Sequence, residues 1–157
     1  MLETTHMPLS LETLDHSAKM DIFESEIAKL PQNHLPLIHR FTDGMYIREI
    51  NMPAGTIATS RTHKTNHPFV IQKGMVDIVD EEGNIERITA PYLGITHRGT
   101  RRVFRVLDDV VLITFHATDK QDPVEIGNDI TESNNELLPQ DFKQAYLGRK
   151  EDTWRLS

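Results

Sequence analysis

The chain of 157 residues contains no cysteine. That excludes disulfides, thiolate metal sites and cysteine nucleophiles, and it agrees with a reducing compartment. No apolar run approaches the roughly 20 residues that a membrane helix needs. The first residues, MLETTHMPLSLETLDH, carry acids where a secretory signal has a basic stretch followed by an apolar one. Neither a membrane partner nor secretion is therefore expected. Basic residues are outnumbered 17 to 24, and the net charge of −7 argues against a nucleic-acid partner. P-loop, dinucleotide fingerprint and Ser/His/Asp spacing are all missing, as are internal repeats and low-complexity tracts.

What is present fits one soluble domain: 38% hydrophobic and 26% charged residues over a length that can bury a real core. The charge is uneven. From Arg61 to Arg105 there are eight basic residues against five acids, a net of +3, so with −7 for the whole chain the flanks hold −10. A basic island sits in an acidic protein.

Leu11, Leu14, Ala18, Ile22 and Leu30 recur at helical steps, which predicts helix over Leu9–Leu30, stopped by Pro31. The stretch up to Gly44 reads as loop, because Pro36 and Asp43-Gly44 break any period. Short β-branched and aromatic runs follow: Tyr46–Met52, Thr56–Arg61, Phe69–Lys73, Met75–Val79, Ile85–Thr89, Ile95–His97, Arg102–Leu107 and Val110–His116. Asp80–Asn84 and Asp108-Asp109 read as hairpin turns. After Thr118 the chain is polar and acidic until a helical stretch, Pro139–Leu147, and a tail with the only tryptophan, Trp154. The division expected is 1–44 for an N-terminal helical arm and loop, 45–118 for a β barrel, and 119–157 for an acidic segment with a second helical arm.

Within the barrel, Gly55 and Gly74 frame the polar pair Arg61 and His63, then His67, and Gly94 is followed three residues later by His97. This layout resembles the two motifs of the cupins. Arg61 stands at the first histidine position of the first motif, His63 at the second and His67 at the glutamate. In the second motif His97 is the histidine, and Arg101 takes the place of asparagine. RTHKTNHPFVIQKG and APYLGITHRGTRRV are also similar to a group of small cupin-like proteins of tailed bacteriophages. The resemblance implies a mainly β protein, a cupin-type antiparallel jelly-roll barrel with short helical arms at both termini. It also implies a viral origin, hence the host cytoplasm during infection or the virion as location.

Neutral imidazoles from separate strands suit Zn, Fe, Ni, Cu or Mn, so His63, His67 and His97 form a conditional metal set. Arg61 opposes it. A guanidinium about 5 Å from a divalent ion is repelled by roughly 6–7 kcal/mol at an effective dielectric near 20. His116 and the histidines outside the barrel (His6, His16, His34, His39) read as structural or surface residues. Arg98, Arg101, Arg102 and Arg105 lie in eight residues that hold no acid. Along a strand Arg101, Val103, Arg105 and Leu107 share one face, and Arg102, Phe104 and Val106 the other. Arg61 and Arg101 are the pair expected inside, where guanidiniums would bind a carboxylate or phosphate bidentately. Glu49 is the acid best placed to oppose them.

The function expected is a non-catalytic binding module that holds a small anionic molecule between Arg61 and Arg101, with His63, His67 and His97 adding hydrogen bonds. Two alternatives stand beside it: a metal-dependent enzyme of isomerase or dioxygenase type, and a virion or assembly component that docks on other virion proteins. Exposed sheet edges and apolar arms also predict a homo-oligomer.

Overall fold

The structure is a computed structural model that describes residues 16–30, 35–80, 83–132 and 155–156. Its elements are α1 (His16–Ile27), β1 (Leu37–Thr42), β2 (Met45–Met52), β3 (Ile57–Ser60), β4 (His67–Val79), β5 (Ile85–Thr89), β6 (Tyr92–Thr96), β7 (Val103–Ala117), α2 (Pro123–Ile130) and β8 (Arg155–Leu156). The protein is mainly β, and among the named strands every pairing is antiparallel except β8 on β3.

Two long strands organise it. One edge of β7 pairs with β2 over its second half and with β3 over its first. Its other edge pairs with β4 throughout, and β4 in turn carries β6 and β5 on its far side. The β4–β7 register slips around Lys73 and Met75. Gly74 lies at that slip with φ of +90°, where a Cβ would stand 2.1 Å from the Asp109 carbonyl oxygen. Only glycine allows this approach. The bulge bends both strands so that their two halves wrap one core, built on Ile50, Met52, Ile71, Val76, Val106 and Val110.

That bend corrects one expectation. Asp108-Asp109 is no hairpin; β7 continues through it as one bent strand, and Asp109 Oδ1 accepts the Ala54 N–H at 2.8 Å. The runs on either side of Gly74, expected as two strands, are likewise one. The stretch expected as loop before Gly44 contains β1, because Asp43-Gly44 is itself the two-residue connection of the β1–β2 hairpin. His39 accordingly belongs to the sheet, its Nδ1 2.6 Å from the Tyr46 hydroxyl.

The acidic segment after Thr118 holds α2. Asp122 caps it, accepting the Val124 N–H at 2.9 Å, Pro123 occupies the first turn, and Ile126 and Ile130 bury against Tyr46 and Phe41. Residues 9–15 of the predicted first helix, with Leu11 and Leu14, lie outside the described residues. So do the predicted helix 139–147, with Phe142 and Tyr146, and Trp154. Among the described residues no helix is long and apolar enough to cross a membrane.

Candidate functional site

Strand alternation decides what reaches the barrel interior. On β7 the inward positions are Phe104, Val106, Val110, Leu112, Thr114 and His116, all buried. Extending that alternation back by two residues puts Arg102 inward. On β2 the inward positions are Tyr46, Arg48, Ile50 and Met52. On β4, His67 and Phe69 face in, and His67 pairs with Thr96 of β6. His63 follows β3 in an irregular segment whose backbone is held on both sides. Its N–H donates to the Thr100 carbonyl at 3.1 Å, while Lys64 N–H and Glu132 N–H form bonds that tie residues 62–64 to the exit of α2.

Three imidazoles therefore meet inside. The ring centroids of His63 and His67 are 4.8 Å apart, and those of His67 and His116 are 4.3 Å apart. The Nδ1 atom of each is buried with no hydrogen-bond partner among the described residues. His116 Nε2 lies 2.9 Å from Thr114 Oγ1. Burial is the main reason that all three stay neutral, lowering His63 to about 3, His67 to about 4 and His116 to about 2. Further causes are the neighbouring imidazoles at His63 and His116, the Arg102 charge at His63 and His67, and the Arg48 charge at His63 and His116. A backbone hydrogen bond at Thr65 partly opposes the shift of His67.

Beside the rings is an inner cavity of about 20 Å³, room for about one water. Its polar wall is Ser60, His63, His67, Thr96, Arg102 and Thr114, and among the described residues no acid lines it. Arg102 and Phe69 are shared with a larger outer cleft of about 410 Å³, within the range of small-molecule sites. Ile88, Tyr92, Ile95, His97, Asp80 and Glu86 are among the other residues that line that cleft. The Arg102 side chain is half-buried at the junction and has no ion pair or hydrogen bond among the described residues; its backbone is held by Ser60, whose Oγ accepts the Arg102 N–H at 2.9 Å and whose N–H donates to the Arg102 carbonyl at 3.0 Å.

The five residues proposed from sequence divide. His63 and His67 are together inside. His97 is exposed and lines the cleft rather than the imidazole cluster. Arg61 is half-buried and lines neither cavity; its Nη1 donates to Thr131 Oγ1 at 3.4 Å. Arg101 is 1% exposed and turned away under α1, its Nη2 2.8 Å from Asp21 Oδ1 and 3.1 Å from Glu24 Oε1. The barrel thus does not bring Arg61 and Arg101 to one pocket, and Glu49 pairs with Arg40 instead. Arg102, Arg48 and His116 are the residues that sequence reasoning passed over.

A metal held by His63, His67 and His97 does not fit this arrangement. His97 is on the other side of the shared wall, Arg102 and Arg48 add positive charge at the imidazoles, and among the described residues no three His, Asp or Glu side chains converge as a metal-holding group.

No protein-family model matches the chain, and no curated protein matches it in sequence. Similar solved structures are cupins. One is the cupin domain of Schizosaccharomyces pombe Cnp3, 22% identical over 56% of this chain and 67% of that one, with a TM-score of 0.47. Another is an RmlC-like cupin family protein with a double-stranded β-helix fold from Methanocaldococcus jannaschii, 12% identical over 57% and 84%, TM-score 0.47. Ectoine synthase from P. lautus is 11% identical over 56% and 67%, TM-score 0.49. The architecture of this chain is mainly β and antiparallel, and its likeness to these cupin structures is one of fold alone. Likeness at this level does not extend to chemistry, since one barrel serves enzymes and non-enzymes.

Proposed function

We propose that this protein is a binding module for a small organic anion, a carboxylate with an apolar body. The observation that carries this is Arg102: among the described residues its guanidinium is unengaged, at the junction of an inner cavity lined by no acid and a ligand-sized cleft. A buried or half-buried cation without a counter-charge is costly, and a ligand carboxylate supplies that charge in bidentate geometry. The inner cavity admits a group of about the size of water and no larger body, so the charged end faces inward and the apolar part stays in the cleft along Phe69, Tyr92 and Ile95. His63, neutral and next to Arg102, has one N–H to donate to the second carboxylate oxygen.

Hexanoate and its neutral analogue hexanamide test this by thermal shift and calorimetry. Hexanoate is expected to bind and hexanamide to fail. Arg102→Ala should abolish hexanoate binding, and Arg102→Lys should restore part of it, because a point charge replaces a planar fork. Equal binding of acid and amide, or an Arg102→Ala variant that binds as well as the parent, would remove the proposal.

A further inference from the structure

The outer cleft holds charge of both signs, and the strand registers separate Arg102 from Glu86. Ile78 of β4 pairs with Glu86 of β5 on one side and with Phe104 of β7 on the other. Glu86 and Phe104 therefore stand two strand spacings apart, about 10 Å. Glu86 shares its face of β5 with Ile88, which is buried, so its carboxylate belongs to the rim of the cleft. Arg102 lies two residues before Phe104 on the same inward face, so Arg102 and Glu86 occupy opposite walls, while Asp80, one residue past the Val79–Val103 pair, is on the β4 side next to Arg102. Between them the surface is apolar: Ile78, Ile88, Phe69, Tyr92 and Ile95.

The two acids of the cleft are not equivalent. Asp80 is engaged in its hairpin, accepting the Asn84 N–H at 2.9 Å and Asn84 Nδ2 at 3.1 Å. Glu86 has no hydrogen bond or ion pair among the described residues. The nearby cations that could neutralise it are committed elsewhere or distant: Arg87 grips Asp77 with Nε at 2.8 Å and Nη2 at 3.0 Å. Among the described residues the Glu86 carboxylate and the Arg102 guanidinium thus face the same apolar floor, and neither is paired with the other or with a further side chain.

We infer that the ligand is an amino-carboxylate: a carboxylate and an ammonium separated by an aliphatic spacer, with the carboxylate at Arg102 and the ammonium at Glu86. This rests on the anion-binding role of Arg102 and adds the second end. A ligand with charge at one end leaves the other wall's charge unmatched; a zwitterion matches both while its methylenes cover Ile88, Phe69 and Tyr92. The inner cavity fixes the orientation, since it offers donors and no acid.

Calorimetry with three probes tests the inference: 6-aminohexanoate, hexanoate and hexylamine. On the parent protein 6-aminohexanoate should bind about fivefold tighter than hexanoate, the size of one half-exposed ion pair, and hexylamine should not bind. Glu86→Gln keeps shape and hydrogen bonding and should erase the fivefold advantage while hexanoate binds as before. Arg102→Ala should abolish binding of both acids. Hexanoate that binds as tightly as 6-aminohexanoate, or a Glu86→Gln variant that retains the preference, overturns the amino-carboxylate and leaves the anion site intact. Failure of both acids on the parent protein overturns the anion site itself.

Discussion

Arg101 and Arg102 are joined by one peptide bond and live in opposite surroundings. Arg101 is sealed beneath α1 between two carboxylates, Asp21 and Glu24, the second of which also accepts the Thr59 hydroxyl at 2.8 Å. Arg102 stands at a cavity lined by imidazoles and hydroxyls and, among the described residues, by no acid. The same side chain is therefore framework on one side of the barrel wall and a ligand-binding group on the other. The identity of a residue says less about its role than the charge that meets it.

Acid should break the cavity side first and hardest. In the unfolded chain each imidazole titrates near 6.5, whereas in the fold His63, His67 and His116 titrate at about 3, 4 and 2. Below pH 6.5 the unfolded chain thus binds more protons, and stability falls as pH drops from 6.5 toward these lower values. The slope is about 1.4 kcal/mol per pH unit for each imidazole, up to about 4 for the three together. Denaturant titrations from pH 7 to 4.5 measure it, and His116→Gln should flatten the profile by the share of one ring. A stability that is level across this window would show that the imidazoles titrate normally in the fold.

Next in size is the contrast between the two arginines. Arg101→Met leaves Asp21 and Glu24 buried without their cation and should cost about 3–5 kcal/mol. Arg102→Met exposes no stranded acid and should stay within about 1 kcal/mol of the parent. Replacing the whole cluster in Arg101→Met/Asp21→Leu/Glu24→Leu should recover most of the first loss, because apolar packing replaces buried charge without desolvation. Urea midpoints of the three variants decide it; equal losses for both arginines would show that the two side chains do the same work.

Much of this was legible in the sequence. Strand β5 was predicted to the residue, β2 and β3 to within a residue or so, and Gly55, Gly74, Gly83 and Gly99 all take positive φ. The alternation that buries Phe104 and Val106 already placed Arg102 on their face, and Leu112 and Thr114 did the same for His116. Both were passed over because motif spacing pointed to Arg101 and His97 instead. The partners of Arg101 were not legible. Asp21 and Glu24 lie about 80 residues away on a helix whose apolar spacing pointed to the wrong face: Ile22 is exposed, whereas Met20, Asp21 and Glu24 are buried. The long strands were divided because Gly74 and Asp108-Asp109 have turn chemistry, and a bulge uses the same residues as a turn.

The smallest effect concerns the helix that supports the cavity side. α2 is to His63 what α1 is to Arg101: its exit supplies the Ile130 carbonyl to the Lys64 N–H at 2.7 Å, and Glu132 N–H donates to the Thr62 carbonyl at 2.8 Å. The helix has only eight residues, too short to persist on propensity, so its cap and its two buried isoleucines hold it. Removing the cap in Asp122→Ala should cost about 1 kcal/mol, and Asp122→Asn, which still accepts the Val124 N–H, should cost much less. The loss should be local. Amide exchange at Lys64 and Glu132 should speed up in Asp122→Ala, while exchange around Thr59 and Arg101, on the α1 side, stays as in the parent. Hexanoate affinity should weaken with the same variant, because His63 is positioned through this segment. If exchange rises equally on both sides, the cap acts on the whole barrel, and α2 is not a separate support for the cavity.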